Sequence, residues 1–512
     1  MNRNLLLAFL ILFSINAIGQ KKYEQRADKY FKYYNYERAL KDYKRLYRKD
    51  KDNVDLLKKI ITCHLKDNTL RESAIPFIEK LLELKPNDAE AHLDMAIALF
   101  HAHQFDKSKE ILSKKKALIG QNVELKKESD QLLLWIENAK ILVQNPIDVS
   151  FINLGKEINT ARNEINPYIT YNEQTLFYSS DKRYNSYAGI YYFNVCVAEM
   201  SKHRFEKGKT IGSKVNSVFD EMVAGIDPYG KQLMFYHNKH NDEMMAYAKY
   251  NGKHNFDLIE EFGTPLDGKG SEYGVWMTAG QDSIFFSGDD AAGHTDLYYA
   301  IKLPNGYWGE ARPLKGKINT SGNENFPVLS EDGTRLYFSS DNKQSMGGYD
   351  LYYSDLNPIS KEWGEPINMG FPINDTYDNY SISWVYGKRH AYVSAIRPEG
   401  EGCRDIYKVI FNEKEAYNAI IKCDIRLDTD TGLVIPIHEP RIEVCDTLGN
   451  VVGRYKASAD SAKFIIALTP GFYDIKIDDD IIPSFSQRLE VPEKWYEAIA
   501  NRLQLIVTKP EE

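Results

Sequence analysis

Hydrophobic and polar positions follow two different periods along the chain, and the change between them divides it. From residue 22 to residue 144, apolar residues recur at helical spacing, and Gly is absent between Gln20 and Ile119. From residue 147 onward, short alternating runs are separated by turn residues such as Asp332-Gly333. The pattern therefore predicts a multidomain α + β chain with a helical head.

A fixed register repeats along the first part of the β region. Each copy starts with an acidic residue, and an apolar strand such as Leu336-Tyr337-Phe338-Ser339 follows twelve positions later. The five copies begin at Glu164, Glu221, Glu272, Glu324 and Asp378. Short strands that repeat at a period of about 50 residues are typical of a β-propeller. Residues 147–413 are therefore predicted to form a propeller with five blades, and six blades are the alternative.

The two ends of this region are predicted to pair. The pattern that ends a copy, with Ile318-Asn319 or Ile373-Asn374 as its last residues, also occurs before the first copy from Phe151 to Asn159. It is missing after the fifth copy. We expect the strand near Phe151 to complete the blade that begins at Asp378, because a closed ring leaves no strand edge exposed.

The helical head contains a second repeat, of about 34 residues, which is the period of tetratricopeptide (TPR) repeats. Small residues such as Ala39, Ala74 and Ala96 recur where two antiparallel helices approach closely, and Pro86 stops a helix. Residues 20–146 are predicted to form a TPR solenoid, with Asn122 to Val143 as the capping helix. A plain helical bundle is the alternative.

The N-terminus carries an export signal. Arg3 precedes an apolar run from Leu5 to Ile15, and Ala17-Ile18-Gly19 supplies small residues before Gln20. Residues 1–19 are therefore predicted to be a cleavable secretory signal peptide. The run is shorter than the roughly 20 residues of a membrane-spanning helix, so we expect no transmembrane segment in the mature chain.

The C-terminal residues 414–512 alternate around turns such as Asp446-Thr447-Leu448-Gly449, which predicts a small antiparallel β-sandwich. Cys423 and Cys445 both fall in this segment, and they either pair or remain buried thiols. The five cysteines of the chain are scattered, so they form no disulfide framework, and the absence of CxxC disfavours a zinc site. A net charge of −8, without a concentrated basic stretch, argues against nucleic acid as a partner.

Candidate chemistry is sparse. The run from His237 to Glu243 holds metal-capable side chains, but its spacing fits no strong motif. Asp428 to Gly432 has the start of a calcium loop without the later Glu, so a turn is favoured. The acids that open each copy are interpreted as structural, and so are Asp181, Asp289 and Asp341 at the ends of second strands. Asn238 and Ala395 take that strand-end position in the other two copies.

Aromatic residues offer the remaining possibility, a sugar site. Its candidates are Trp276, Trp308, Trp363 and Trp384. Trp308 and Trp363 occupy equivalent repeat positions and are interpreted as packing residues. No Gly-rich phosphate loop, GxSxG or HExxH motif is present. We therefore predict no catalytic residue, no cofactor-binding residue and no metal ligand.

Several segments resemble known families. Asn323 to Asp341 and Gly348 to Tyr352 resemble the TolB-like (WD-type) propellers, and residues 422–477 resemble the carboxypeptidase regulatory-like sandwich. A signal peptide, TPR repeats, such a propeller and such a sandwich are together similar to outer-membrane-associated proteins of Bacteroidota. A periplasmic component of type IX secretion and gliding is among them. Those relatives usually end in an OmpA-like domain, which the sequence up to Glu512 lacks, so peptidoglycan binding is not carried over.

The resemblance and the binding-type modules imply a non-enzymatic scaffold. It would lie in the periplasm, associated with the outer membrane, and bind envelope proteins through the TPR groove and a propeller face. The alternative is a glycan-binding or glycan-active propeller. Carboxylates and Trp clustered at the mouth of the ring, from non-equivalent positions, would support that alternative.

Overall fold

The structure is a computed structural model of the 512-residue chain. The predicted signal peptide, residues 1–19, lies outside the described residues. The chain divides into two compact units, Met1–Asn412 and Glu413–Glu512. The residues described are 20–508 except 68, 187–188, 240–241, 253–254, 258, 265, 267–273, 291–292, 358–359, 413–418, 437–438, 448, 470, 478–483 and 493–500.

Seven α-helices among these residues open the first unit, and each packs on the next. Side-chain oxygens of Asn53, Asp88 and Asn122 accept backbone N–H bonds at three helix starts, as N-caps do. The helices are α1 (20–32), α2 (Tyr36–Tyr47), α3 (Val54–Lys66), α4 (Ile75–Leu84), α5 (Ala89–His101), α6 (Phe105–Ile119) and α7 (Val123–Gln144). The helix predicted over Asn122 to Val143 is thus found as α7.

The small residues of the helical repeat lie where neighbouring helices meet. Ala39, Ala74, Ala96 and Ser108 are all 0% exposed. The Ser108 hydroxyl donates a hydrogen bond of 2.7 Å to the Ala96 carbonyl oxygen, which joins α6 to α5. A larger side chain at any of these positions would push two helices apart.

Five sheets of antiparallel strands follow in the described part of the first unit. Sheet 1 contains β2 (Glu164–Ile169), β3 (Thr175–Asn185), β4 (Ile190–Ser201), β5 (Arg204–Phe205) and β6 (Lys209–Thr210). Sheet 2 contains β7 (Glu221–Ile226), β8 (Gln232–Lys239), β9 (Asp242–Lys249) and β10 (Glu260–Glu261). Sheet 3 contains β11 (Val275–Met277), β12 (Ser283–Asp289), β13 (Thr295–Ile301) and β14 (Arg312–Pro313). Sheet 4 contains β15 (Glu324–Leu329), β16 (Arg335–Ser340), β17 (Asp350–Asp355) and β18 (Ile367–Asn368).

Sheet 5 joins the two ends of the region. It contains β19 (Ile382–Trp384), β20 (His390–Ala395), β21 (Asp405–Phe411) and, as its outer strand, β1 (Val149–Asn153). β1 runs antiparallel to β21, with Phe151 opposite Val409. The predicted pairing of the strand near Phe151 with the last sheet is confirmed.

The sheets follow one another in a closed order. Each packs on the next along the chain, and sheet 5 packs on sheet 1. Backbone N–H groups also donate to hydroxyls across sheet boundaries, from Val223 to Ser179 at 2.8 Å and from Ile169 to Ser383 at 2.9 Å. The arrangement is a propeller-like ring with its hydrophobic core between the sheets.

In four of the sheets, an asparagine at an equivalent position holds a loop to the third strand. Its amide bonds both the backbone N–H and the carbonyl oxygen of a single residue in a third strand. The pairs are Asn159 with Ile406, Asn216 with Val195, Asn319 with Leu297 and Asn374 with Leu351. Two bonds to one residue fix both the position and the orientation of the loop that carries the asparagine.

The helices are bonded to loops at one end of the ring, where the first strands begin. The Asn35 amide donates to the Gly189 carbonyl oxygen at 3.1 Å, and the Asn138 amide donates to the Ser345 carbonyl oxygen at 2.8 Å. Met346 belongs to a ring loop, yet it is 0% exposed and packs in the core of the helices. Helices and ring therefore share buried surface.

The C-terminal unit has eight strands among its described residues. One sheet contains β22 (Ala419–Thr429), β23 (Gly432–Val434), β26 (Lys463–Leu468) and β29 (Asn501–Val507). The other contains β24 (Arg441–Cys445), β25 (Val451–Lys456), β27 (Gly471–Ile477) and β28 (Phe485–Val491). Side chains from both sheets share one core, as a sandwich requires.

The prediction of a purely antiparallel sandwich is wrong in one place. β29 runs parallel to β22, with Cys423 opposite Leu503. Alternation along a strand reports which face is buried and not the direction of its neighbour, so the sequence pattern could not show this. Cys423 and Cys445 are both buried free thiols, and burial raises the pKa of Cys423 to about 12.

Candidate functional site

The acidic residues that open the repeat act as clamps on the preceding loop. The Glu324 carboxylate is 0% exposed and accepts hydrogen bonds from the Thr320 backbone N–H (2.9 Å), the Thr320 hydroxyl (2.7 Å) and the Ser340 hydroxyl (2.7 Å). Glu164 and Glu221 are clamped in the same way, by Thr160 with Ser180 and by Ser217. Burial raises the pKa of Glu164 and Glu324 although these bonds oppose the shift. Glu272 lies outside the described residues.

The fifth copy is displaced by one residue from the register that the sequence suggested. The Asp375 backbone N–H donates to the Asn379 side-chain oxygen at 3.0 Å, as the Thr320 N–H donates to Glu324. Asn379 therefore takes the position of the glutamates, and the assignment of Asp378 to that position is wrong. An amide oxygen accepts this bond as a carboxylate does, whereas the sequence alignment followed the acid.

Asp378 instead occupies the position of Asn323 in the preceding copy. Its carboxylate accepts from the Tyr349 backbone N–H at 3.0 Å, just as the Asn323 side chain accepts from the Thr295 N–H at 3.1 Å. Both bonds tie the loop before a first strand to the third strand of the preceding sheet. Asp378 is thus a link between neighbouring sheets.

The acids at the ends of second strands also bond loops. Asp181 accepts from the backbone N–H and the amide of Asn163, at 2.8 and 3.0 Å, and Asp341 accepts equivalent bonds from Asn323. Asp289 accepts from the Thr295 hydroxyl at 3.2 Å. Each of these carboxylates therefore bonds groups of the ring itself.

The run from His237 to Glu243 spans the end of β8 and the start of β9. His240 and Asn241 lie outside the described residues, and His237 places its Nδ1 3.3 Å from the Glu221 carboxylate. In the part of the chain that the structure describes, no three His, Cys, Asp or Glu side chains form a metal-type cluster. The run from Asp428 to Gly432 forms the turn between β22 and β23.

The tryptophans differ in exposure. Trp363 and Trp276 are 7% and 5% exposed and belong to the ring core. Trp384 stacks on Phe411 with ring centroids 4.8 Å apart. Trp308 is only half-buried and borders a cleft between sheets 2 and 3.

A charged cluster at the closure of the ring escaped the sequence analysis. Glu173 Oε1 accepts hydrogen bonds from His390 Nε2 (2.7 Å), the Tyr392 hydroxyl (2.7 Å) and Lys408 Nζ (2.8 Å). Burial alone would raise the pKa of Glu173, but the bonds from Lys408 and Tyr392 outweigh it and lower the pKa. The cluster joins sheet 1 to sheet 5. No local pattern could reveal it, because Glu173 is more than 200 residues from its partners.

Several acidic side chains lie close together on the face formed by α3, α5 and α7. Lys58 of α3 pairs with Asp88 at 2.8 Å and Glu90 at 3.2 Å at the start of α5. Asp94, one turn further along α5, is half-buried beside Glu90 and Glu128. Burial, followed by the two neighbouring carboxylates, raises the pKa of Asp94 to about 7. We call this set of residues the acidic groove.

The end of the ring opposite the helices carries tyrosines. Tyr171, Tyr229 and Tyr386 lie in turns between first and second strands, and the last two are 58% and 49% exposed. The Tyr171 ring centroid lies 5.1 Å from that of Tyr386 and 6.2 Å from that of Tyr229. A hydrogen bond with Glu331 raises the pKa of Tyr386. These aromatic side chains give that end of the ring an amphipathic surface.

Comparison with known proteins finds likeness in structure alone. No family model matches the chain, and no curated protein matches it in sequence. A TolB-type structure from Agrobacterium tumefaciens is 11% identical, with a TM-score of 0.32, and the match covers 63% of this chain and 97% of that one. TolB from Acinetobacter baumannii is 12% identical, with a TM-score of 0.32, over 57% of this chain and 71% of that one.

A thermostable family-43 glycoside hydrolase is also similar, at 12% identity and a TM-score of 0.35, over 49% of this chain and 90% of that one. Identity and superposition are low in all three cases. The strand pairings of this chain show the propeller-like ring.

Every helix among the described residues is either too short or too polar to cross a membrane.

Proposed function

We propose that this protein is a non-enzymatic scaffold of the bacterial cell envelope that binds partner proteins. In this proposal residues 1–19 are a signal peptide, 20–146 a TPR solenoid, 147–413 a five-bladed TolB-like propeller and 414–512 a carboxypeptidase regulatory-like sandwich. The chain would act in the periplasm next to the outer membrane. The resemblance to type IX secretion and gliding components suggests that process as its setting.

The observation that supports a scaffold best is the buried polar junction between the helices and the ring. His101 is 7% exposed, and its ring bonds the Arg71 guanidinium at 2.8 Å and the Thr376 hydroxyl at 3.1 Å. The Tyr377 hydroxyl accepts from the Arg71 backbone N–H at 3.1 Å. Buried networks of this kind hold two elements in one orientation, because separating them would leave polar groups unpaired. The junction suits a platform that presents two binding surfaces at fixed positions.

The acidic groove is the surface that we assign to a partner segment. Asp94 and Glu128 have no lysine or arginine ion pair among the described residues, while Lys58 is already held by Asp88 and Glu90. A basic side chain from a partner would neutralise Asp94 and lower its pKa toward the ordinary value. We therefore propose that the partner segment carries Lys or Arg.

Affinity purification from the envelope of the source bacterium tests this function. The full mature chain is used as bait beside an Asp94→Lys, Glu128→Lys double variant. A matched control is Glu110→Lys on α6, where the side chain is 57% exposed and pairs only within its own helix. We expect a defined partner with the wild type and the control, and its loss with the double variant. Equal recovery from all three baits would reject the groove as the binding surface.

The glycan-binding alternative has support from one feature, the cleft that Trp308 borders. That cleft lies between sheets 2 and 3. The aromatic lining of the cleft favours binding of a sugar, and no catalytic residue is proposed there.

A further inference from the structure

A cleft of about 650 Å³ lies between sheets 2 and 3. The half-buried Tyr247 and Trp308 line it on either side of Phe262, which is 7% exposed. The Phe262 ring centroid lies 4.8 Å from that of Tyr247 and 6.5 Å from that of Trp308. Tyr307, next to Trp308, is 75% exposed at the rim. The volume falls in the range of about 300–1,000 Å³ that is typical of small-molecule sites.

The described surroundings of Trp308 differ from those of Trp363. Trp308 and Trp363 both form a bridge to the strand before them, to Lys302 and Leu356, so their positions are equivalent. The segment that follows sheet 3 contacts Trp363. The backbone N–H of Trp363 donates to the Lys315 carbonyl oxygen at 3.0 Å. In the described part of the corresponding segment after sheet 2, residues 262–264 and 266, no backbone bond reaches Trp308. Among the described residues, the backbone that contacts Trp363 has no counterpart at Trp308, which borders the cleft.

Polar groups of several kinds line the same cleft. Glu260 and Glu261 are exposed, and Glu260 accepts a hydrogen bond of 2.5 Å from the Tyr247 hydroxyl. Lys302 holds its ammonium group 5.5 Å from the centre of the Trp308 ring. The side-chain oxygen of Gln232 is buried at the cleft and accepts no hydrogen bond from the residues described. A ligand here would meet aromatic faces together with donors and acceptors.

We propose that this cleft binds a short neutral or amino oligosaccharide without catalysing any reaction on it. The C–H face of a sugar ring stacks on aromatic rings, and its hydroxyls bond carboxylates and amides, which is the combination present here. Two carboxylates against one lysine disfavour an acidic sugar. An apolar peptide would leave Glu260, Glu261 and Gln232 without partners, so the lining favours a sugar over a peptide. The site lies on the ring and is independent of the acidic groove.

Isothermal titration of the full mature chain tests the proposal. The probes are tetramers of N-acetylglucosamine, of glucosamine and of galacturonate. We expect the first or the second to bind and the third to bind most weakly. Tyr307→Ala and Trp308→Ala should each weaken binding about tenfold, which corresponds to the loss of one stacking contact of about 1.4 kcal/mol.

Tyr229→Ala is the matched control, because Tyr229 is an exposed tyrosine on a turn of sheet 2 outside the cleft. The Tyr307 side chain is largely in solvent, so Tyr307→Ala should fold normally and tests the cleft even if Trp308→Ala misfolds. Failure of all three tetramers to bind would overturn the proposal. So would affinity that both cleft variants leave unchanged, or preference for galacturonate. A peptide that binds and is lost in the same two variants would make the cleft a peptide site instead.

Discussion

At the scale of single residues, the ring uses its buried acids to hold loops. A carboxylate such as Glu324 accepts from a backbone N–H and two hydroxyls at once, and it forms no ion pair with a described lysine or arginine. The same chemistry explains why a neutral asparagine, Asn379, replaces it in the fifth copy. The need is for an acceptor at a fixed place, and charge is incidental to it.

Removing one such clamp should destabilise the ring. Glu324→Ala leaves a buried N–H and two hydroxyls unpaired, so we expect a loss of about 2–3 kcal/mol in the free energy of unfolding, measured with urea. Glu324→Gln keeps an acceptor and should lose about 1 kcal/mol. Glu365→Ala, which removes an exposed partner of Lys317, should stay within about 0.5 kcal/mol. An equal effect of Glu324→Ala and Glu365→Ala would contradict the clamp.

The cluster at the closure of the ring should make stability depend on pH. Burial lowers the pKa of His390 from its ordinary value of 6.5, against the opposing effect of Glu173, so the folded chain favours the neutral ring. The unfolded chain takes up the proton first as pH falls, and stability is lost below about pH 6.5. Glu173 adds a further loss at lower pH, because its pKa lies below the ordinary 4.5 in the folded chain.

We therefore expect the wild type to lose more stability than His390→Gln between pH 7 and pH 5, measured by thermal unfolding at a series of pH values. Lys388 and Lys408 also face His390, and their positive charges lower its pKa further. Parallel curves for the two proteins would show that His390 does not titrate in this way.

At the scale of elements, the sequence predicts the structure where the pattern lies within one element or one repeat. It does not predict features that depend on how distant segments pack. Periodicity was sufficient to predict α7 and the alternation of the sheets, and comparison between repeats predicted the pairing of β1 with β21. The parallel orientation of β29 beside β22 depends on chain direction, which the alternation of side chains does not encode. The cleft beside Trp308 lies between sheets 2 and 3, and a pattern within one repeat does not show how two sheets pack.

The packing of Met346 into the helices should couple them to the ring. Met346→Ala removes a fully buried side chain of a ring loop from the helical core, which costs about 2–4 kcal/mol. We expect calorimetry to resolve the helices as a separate transition below that of the ring in this variant. Ile301→Ala, at a position 50% exposed, is the control and should leave the melting profile unchanged. A single undisplaced transition in Met346→Ala would contradict the coupling.

At the scale of the whole molecule, closure of the ring by β1 joins residues that are far apart in sequence. Ser150 lies opposite Ile410 in the antiparallel pair of β1 and β21. Partners across such strands lie at the Cα separation of about 4.4–6.8 Å that disulfides use.

A Ser150→Cys, Ile410→Cys variant should therefore form a disulfide under oxidising conditions. The bond should raise the free energy of unfolding by about 2–4 kcal/mol, because it closes a long loop in the unfolded chain. The reduced form of the same variant is the control. Failure to form the bond in the folded protein would show that β1 does not close the ring.

The central proposal, a scaffold that binds a basic partner segment in the acidic groove, is tested most directly by site-specific photo-cross-linking in living cells. A photoreactive residue replaces Glu90, on the groove, or Glu110, on α6, whose side chains are 59% and 57% exposed. We predict a discrete adduct with an envelope protein from the Glu90 position and none from the Glu110 position. No adduct at Glu90, or the same adducts from both positions, would contradict the proposal.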